Sequence, residues 1–144
     1  MIKVLLYHEN PILARGIETA LSESGDILVG HQTSTEEGLW QALGEKGNLP
    51  DCLLIVIHRQ DSWILVILDR IRKHHQTLPV LIVSIFEGLE YTTRLLTAGA
   101  AGVINNNTGL EELVEAIRKA AGGGRYVNDR LAEWLARHYI GRSP

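Results

Sequence analysis

Five short runs of hydrophobic residues along the chain have the pattern of strands that are buried on both faces. The clearest run, CLLIVI, carries no charge and follows the turn residues Pro50 and Asp51. A continuous apolar run of this length, rich in β-branched residues and bounded by turn residues, is typical of parallel sheets with helices on both faces. The runs occupy residues 2–7, 27–30, 52–57, 79–84 and 102–104.

Segments with helical spacing alternate with these runs. Asn10 is expected to cap the first helix, with Pro11 at the first helical position. The clearest helix is predicted over residues 110–121, where basic residues lie near the end that the helix dipole favours. Its inward face is predicted to comprise Leu113, Val114, Ile117 and Ala121.

The segment from residue 62 to residue 74 fits two structures. Residues 63–68 (WILVIL) have the local pattern of a strand. If the segment is helical, one face carries Leu65, Leu68, Ile71 and Arg72. A helix with Ser62 as its cap preserves the strand–helix alternation that a parallel sheet requires, and it is the structure we predict.

Three apolar residues of this predicted helix, Trp63, Val66 and Ile67, would face outward. An exposed apolar stripe that includes an aromatic ring is typical of a contact surface for another protein. The alternative is that residues 125–144 fold back and cover the stripe. The pattern of residues leaves both arrangements open.

Length and composition restrict the class of protein. The chain has 144 residues, enough for one domain with a real core, and its net charge of −3 argues against a domain that grips nucleic acid by itself. The single cysteine, Cys52, lies inside an apolar run, which fits a buried side chain and a reducing compartment such as the cytoplasm. We expect no signal peptide and no membrane span, because the apolar runs are too short.

Several segments together resemble the receiver domains of NarL/FixJ (LuxR-type) response regulators in two-component signal transduction. They are AGAAG at residues 98–102, EELVEAI at 111–117 and GGRY at 123–126. The resemblance covers about residues 2–136. It implies a CheY-like α/β fold, in which a doubly wound, five-stranded parallel sheet has the order 2-1-3-4-5, with an extra helix at the C-terminal end.

The resemblance also implies a division of the chain. Residues 1–124 would form the receiver-like domain, and residues 125–144 a final helix and the start of a linker. Asn128 is expected to cap this helix, which carries Leu131, Trp134 and Leu135. In relatives of this kind a helix-turn-helix domain follows, so contact with DNA is expected only through a domain after residue 144.

The chemistry of the family transfers to this chain only in part. The family's phosphoacceptor aspartate, at the end of the third strand, falls at Val56, and the lysine that neutralises phosphoryl oxygens falls at Asn106. The two acids that hold Mg²⁺ fall at His8 and Glu9, whereas the hydroxyl of the fourth strand is kept as Ser84. Three further family positions, an aromatic switch residue and the Pro and Gly of a loop, fall at Val103, Gln60 and Ile64.

These replacements predict a domain that has lost phosphoryl chemistry. Phosphoryl transfer needs an oxygen nucleophile, bridging Mg²⁺ and positive charge on the departing oxygens. Asp51 and Asp61 are the alternative acceptors, but Asp51 lies at the wrong end of its strand and Asp61 lies in the loop beyond it. We therefore predict a non-catalytic pseudo-receiver with no cofactor, in which His8, Glu9, Ser84 and Asn106 line a vestigial pocket.

Two enzymatic or metal-binding interpretations have weaker support. His8, Glu9 and His58 could form a zinc site, but no fourth ligand or known zinc spacing accompanies them, so we predict no metal. Ser84 beside His8 or His58 could suggest a hydrolase, but no G-x-S-x-G motif surrounds it. Walker and Rossmann glycine patterns are also missing from the sequence.

The sequence thus predicts a signalling domain that acts by contact with proteins. By resemblance, it would belong to a transcriptional regulator that forms a homodimer. The faces implied for that contact are either the first and fifth helices, or the fourth helix with the fifth strand and fifth helix. The alternative is a stand-alone adaptor that binds another signalling protein.

Overall fold

A computed structural model of the chain describes residues 1–44, 49–57, 62–84, 88–105, 109–127 and 129–137. The strands are β1 (Ile2–Tyr7), β2 (Ile27–Thr33), β3 (Cys52–Ile57), β4 (Val80–Ser84) and β5 (Gly102–Asn105). The helices are α1 (Pro11–Glu23), α2 (Glu36–Gly44), α3 (Trp63–His74), α4 (Leu89–Thr97), α5 (Leu110–Ala121) and α6 (Asp129–Leu135).

The strands form one parallel sheet in the order β2-β1-β3-β4-β5. This order confirms the predicted α/β fold class. The bounds of β1, β3 and α5 are those predicted, while β2 continues three residues further, to Thr33. Strand β3 lies at the centre, and all six of its residues are buried.

Two apolar layers cover the two faces of the sheet, and β3 contributes alternate residues to each. Leu53, Ile55 and Ile57 belong to the layer under α2, α3 and α4. Cys52, Leu54 and Val56 belong to the layer under α1 and α5. Burial raises the pKa of the Cys52 thiol to about 12, so this cysteine is an inert core residue.

Helix caps are confirmed at one predicted position and not at another. The side chain of Asn10 accepts hydrogen bonds from the backbone N–H groups of Ile12 and Leu13, at 3.0 and 3.2 Å. Ser62 precedes α3, but its side chain makes no capping hydrogen bond. Its backbone is already helical (φ −76°, ψ −5°), whereas a capping side chain normally needs an extended backbone.

The orientation predicted for α3 is wrong in one important respect. Ile67 is buried, with 1% of its surface exposed, and Trp63 is half-buried; Val66 alone of the three faces solvent, at 63%. The helix buries the stripe with spacing i, i+3, i+4 and i+7, which is apolar at every position. The inward face predicted from the sequence would have buried Arg72, whose side chain is exposed in the structure. The buried residues are Ile64, Ile67, Leu68 and Ile71.

The inward face of α5 is also shifted from the predicted one. Leu113 and Ile117 are buried as expected, but Ala116 and Ala120 complete the face, and Val114 and Ala121 are half-buried. The short alanine side chains allow α5 to lie close to the sheet.

The segment after α5 returns to the sheet. The backbone N–H of Tyr126 donates to the carbonyl of Ala101 (2.7 Å), and the Tyr126 hydroxyl donates to Glu112 (2.8 Å). Leu131 of α6 is buried in the layer under α2, α3 and α4. Asn128 and residues 138–144 lie outside the described residues, so the predicted cap and the boundary at residue 124 stay predictions.

Candidate functional site at the carboxyl edge of the sheet

The strand register brings the carboxyl ends of β1, β3, β4 and β5 to one edge. Tyr7, the last residue of β1, pairs with Ile55, so His8 follows at the level of Val56. Val56 pairs with Val83, and Ser84 lies between Ile57 and Asn105. The carboxyl edge is where open parallel sheets bind ligands. The edge is therefore the candidate site, and His8, Glu9, Val56 and Ser84 lie at it.

Val56 occupies the central position of this edge and has no exposed surface. It belongs to the same buried apolar layer as Leu6 of β1, Ile104 of β5 and Leu113 of α5. Its side chain offers neither a nucleophile nor an oxygen ligand. The centre of the edge is thus a continuation of the core.

The polar groups at this edge differ in exposure. Ser84 is buried, with 1% of its surface exposed, whereas Glu9 is exposed. His8 is half-buried, and its backbone N–H donates to the carbonyl of Thr33 at 3.1 Å. Its Nδ1 atom is inaccessible to solvent and has no hydrogen-bond partner among the described residues.

Several residues of the sequence hypotheses lie outside the described residues. They are Asn106, His58, Gln60 and Asp61. Within the ranges that the structure describes, no three His, Cys, Asp or Glu side chains are grouped so that they could hold a metal ion. The described helices also include none that is long and apolar enough to cross a membrane.

Asp51, the other alternative acceptor, lies at the opposite edge of the sheet. Its carboxylate accepts a hydrogen bond from the backbone N–H of Lys3 (2.8 Å), and its own N–H donates to the Lys3 carbonyl (2.8 Å). These two bonds join the beginnings of β1 and β3. Asp51 therefore has a structural role at the amino edge, the end of its strand at which the sequence placed it.

A cluster of aromatic and charged residues joins α2 to α3, beside the carboxyl edge. The Glu36 carboxylate accepts a hydrogen bond from Trp63 Nε1 through Oε1 (2.9 Å) and another from Trp40 Nε1 through Oε2 (3.3 Å). The bond from Trp63, and then the bond from Trp40, hold the pKa of Glu36 below its ordinary value. We call Tyr7, Glu36, Trp40, Trp63 and Arg70 the α2–α3 cluster.

Two ring contacts complete the α2–α3 cluster. The Arg70 guanidinium carbon lies 4.1 Å from the centre of the Trp40 ring, and the Tyr7 and Trp63 ring centres are 5.3 Å apart. This cluster was not predicted from the sequence. The spacing of Glu36 and Trp40 by four residues was a local signal, but nothing in the sequence linked Glu36 to Trp63.

The fold is the one expected for a receiver domain, and comparison with known families agrees. Residues 4–118 match the model of the response regulator receiver domain, so the chain belongs to this family.

Curated relatives include the response regulator GacA of Pseudomonas syringae pv. syringae (strain B728a), 34% identical over 137 residues. That match covers 94% of this chain and 63% of GacA. The nitrate/nitrite response regulator protein NarL of Escherichia coli (strain K12) is 27% identical over 134 residues, covering 92% of this chain and 61% of NarL. The chain thus spans somewhat less than two thirds of these relatives.

Solved structures show the same fold at low sequence identity. A LuxR-family two-component response regulator from Aurantimonas sp. SI85-9A1 matches with a TM-score of 0.81 and 20% identity, over 97% of this chain and 99% of that one. The isolated REC domain of RcsB from Salmonella enterica serovar Typhimurium, determined with the phosphomimetic BeF3⁻, matches with a TM-score of 0.77 and 13% identity. This match covers 92% of the chain described here and 96% of the RcsB domain.

Proposed function

We propose that this chain is a receiver domain that signals without accepting a phosphoryl group. It would act by contact with proteins, in the cytoplasm, as part of a LuxR-type transcriptional regulator. The observation that carries this proposal is Val56, which is fully buried in an apolar layer at the position where the family resemblance places the acceptor aspartate.

The remaining residues of the edge favour the same interpretation. Mg²⁺ prefers an octahedral shell of oxygen ligands, and His8 replaces one of the two acids expected to supply them. Asn106 stands at the position of the lysine, so no side chain there supplies positive charge to phosphoryl oxygens. Ser84 can still donate a hydroxyl hydrogen bond, but it has no phosphoryl group to sense.

The α1–α5 surface supports a homodimer as the mode of action. A groove between these helices is lined by Ile12 and Leu110, which are 85% and 56% exposed. Gly16 lies in the same groove, and a Cβ atom there would meet nothing within 4 Å. An exposed glycine in a helix interior lowers stability without serving this fold, but it permits close approach of another helix. RcsB, whose fold is similar, has been solved as two dimers bound to two parallel DNAs.

An NMR titration tests the proposal. The ¹⁵N-labelled chain is titrated with Mg²⁺ and then with beryllofluoride, the phosphoryl mimic used with the RcsB domain. We expect no saturable shift of the Glu9 or Ser84 amides. The double variant Val56→Asp, Asn106→Lys restores the two missing groups and serves as the positive control. A saturable, Mg²⁺-dependent shift in the natural chain would overturn the proposal.

A stand-alone adaptor is the second candidate function, and the exposure of Val66 favours it. Val66 is 63% exposed next to the half-buried Trp63, so α3 presents one apolar side chain to solvent beside an aromatic ring. The gene sequence beyond residue 144 separates the two candidates. A helix-turn-helix domain there supports the regulator, and its absence supports the adaptor.

A further inference from the structure

The α2–α3 cluster joins three elements that do not follow one another in the chain. Glu36 is the first residue of α2, Trp63 is the first residue of α3, and Tyr7 is the last residue of β1. All three therefore lie where their elements meet the carboxyl edge of the sheet. A contact between them fixes the position of the α3 start relative to that edge.

The Glu36 carboxylate is the centre of this contact because each of its oxygens accepts one indole N–H. The bond from Trp63, at 2.9 Å, spans two helices, while the bond from Trp40, at 3.3 Å, lies within α2. A hydrogen bond to an ionised acceptor is stronger than one between neutral groups. The hydrogen-bonded contact between the starts of α2 and α3 thus passes through a single charged side chain.

The two ring contacts further restrict the position of α3 relative to α2 and β1. The Trp63 ring packs against Tyr7, which is 4% exposed and belongs to the core layer. Further along α3, Arg70 lies over the Trp40 ring of α2, an arrangement that adds a cation–π attraction. Two points of attachment, separated by about two helical turns, prevent α3 from pivoting about either one.

We propose that Glu36 is a latch that fixes the start of α3 to α2 and to the end of β1 by protein contacts alone. Its consequence rests on the second candidate function proposed above: an adaptor that takes no phosphoryl group must present its contact surface on α3 in one position without that group. The latch does this for α3, whose exposed residue Val66 lies between the two points of attachment.

Hydrogen exchange on the full chain, without phosphodonor, tests the latch. The chain contains three tryptophans, so the indole N–H groups of Trp40 and Trp63 can be followed beside that of Trp134. The Val66 amide, which donates to the Ser62 carbonyl at 3.2 Å, reports on the first turn of α3. In Glu36→Ala, we expect the Trp63 indole and the Val66 amide to exchange about tenfold faster.

The matched control is Glu37→Ala. Glu37 lies in the same first turn of α2 and has the same charge, so the control reproduces the effect on the helix dipole without touching the latch. We expect exchange at Trp63 and Val66 to stay within about twofold of the natural chain. Equal rates in the Glu36→Ala variant and the natural chain, or equal acceleration in both variants, would overturn the latch.

If Glu36→Ala lowers the stability of the whole domain, the Leu54 amide in the centre of β3 will also exchange faster. A second variant separates this general effect from loss of the latch. Trp63→Phe keeps a six-membered aromatic ring against Tyr7 and removes the five-membered ring with its indole N–H. Faster exchange at Val66, with Leu54 unchanged, supports the latch, and unchanged exchange at Val66 overturns it. Neither result depends on phosphorylation, so the latch and the proposed function can fail separately.

Discussion

Val56 of β3 pairs with Val83 of β4, one residue before the position where Ser84 ends its strand. Both valines belong to the apolar layer under α1 and α5, where Val56 is fully buried and Val83 is half-buried. The carboxyl edge of this sheet is therefore closed by hydrocarbon at the point where the family resemblance expects a carboxylate.

A carboxylate at position 56 should destabilise the fold. We expect Val56→Asp to be less stable than the isosteric, uncharged Val56→Asn by about 2 kcal/mol at neutral pH, because a buried charge without a partner is poorly solvated. Urea unfolding of the two variants measures the difference. The comparison isolates charge, since both variants bury a polar side chain of the same shape.

The pH dependence of that difference has a definite sign. Burial would raise the pKa of the new carboxyl in the folded state above its unfolded value of about 3.9. The penalty should be absent below the unfolded pKa, where both states are protonated, and should grow as the pH rises toward the folded pKa. A Val56→Asp chain that gains stability relative to Val56→Asn as the pH rises would show that the folded state favours the ionised carboxylate, which is the opposite of what we expect.

Gly102 should tolerate no side chain. A Cβ atom there would lie 2.9 Å from Leu81 Cδ2 and 3.0 Å from Tyr126 Cβ, because Gly102 pairs with Leu81 of β4 and forms a parallel bridge with Tyr126 of the segment after α5. We expect Gly102→Ala to lower the free energy of unfolding by about 1–3 kcal/mol through overpacking. The matched control is Gly30→Ala in β2, where a Cβ meets nothing within 4 Å. Equal stability of the two variants would contradict this packing.

A side chain added at Gly16 should have opposite effects on the stability of the chain and on its association. Alanine is favoured over glycine in a helix interior, so Gly16→Ala should stabilise the isolated chain by about 1 kcal/mol. If α1 packs closely against a second copy, the added methyl group should weaken the homodimer. Thermal unfolding and sedimentation velocity measure the two effects. A more stable variant with undiminished association would remove the α1–α5 surface from the proposed mechanism.

The ion pair between Asp26 and Arg118 should make stability depend on pH. Arg118 Nε and Nη2 donate to both carboxylate oxygens, at 2.8 and 2.9 Å, and the hydrogen bonds from Arg118 are the main cause that lowers the pKa of Asp26. A lowered folded pKa gives stability that is present above the ordinary value of 3.8 and is lost as the pH falls through the folded pKa.

The variant Asp26→Asn should therefore be less stable than the natural chain at neutral pH and equal to it in strong acid. Both side chains are nearly half exposed, so we expect a small effect that added salt reduces. Asp69→Asn is the control, because its partner Lys73 lies on the same helix at an exposed site. A stability difference that persists in strong acid would assign the effect of Asp26 to something other than its charge.

The buried strands were predictable because each is a short apolar run between turn residues, and the parallel order followed from the family resemblance. The orientation of α3 was not predictable in this way, because WILVIL is apolar on every side and its local pattern allows two inward stripes. The stripe of Ile64, Ile67 and Ile71 is the buried one, and unlike the predicted stripe it leaves the charged Arg72 in solvent. The inward face of α5 was also predicted incorrectly, because the small alanine side chain contributes little to a hydrophobic pattern.

The candidate site and its surroundings were likewise predictable only in part. Val56, His8, Glu9 and Ser84 could be placed at one edge because the carboxyl ends of parallel strands meet there. The α2–α3 cluster could not, since Glu36 and Trp63 are 27 positions apart in sequence and only the fold brings them together. Local patterns thus located the residues that follow strands, whereas contacts between helices needed the structure.

Whether the chain can accept a phosphoryl group is measured by its intact mass after incubation with a small phosphodonor and Mg²⁺. The double variant Val56→Asp, Asn106→Lys is treated in parallel as the control that regains an acceptor and a cation. We predict that the natural chain keeps its mass while a fraction of the double variant gains one phosphoryl group. A stoichiometric, Mg²⁺-dependent gain of one phosphoryl group by the natural chain would show that the domain is a working receiver. Mapping the modified residue would then identify the acceptor.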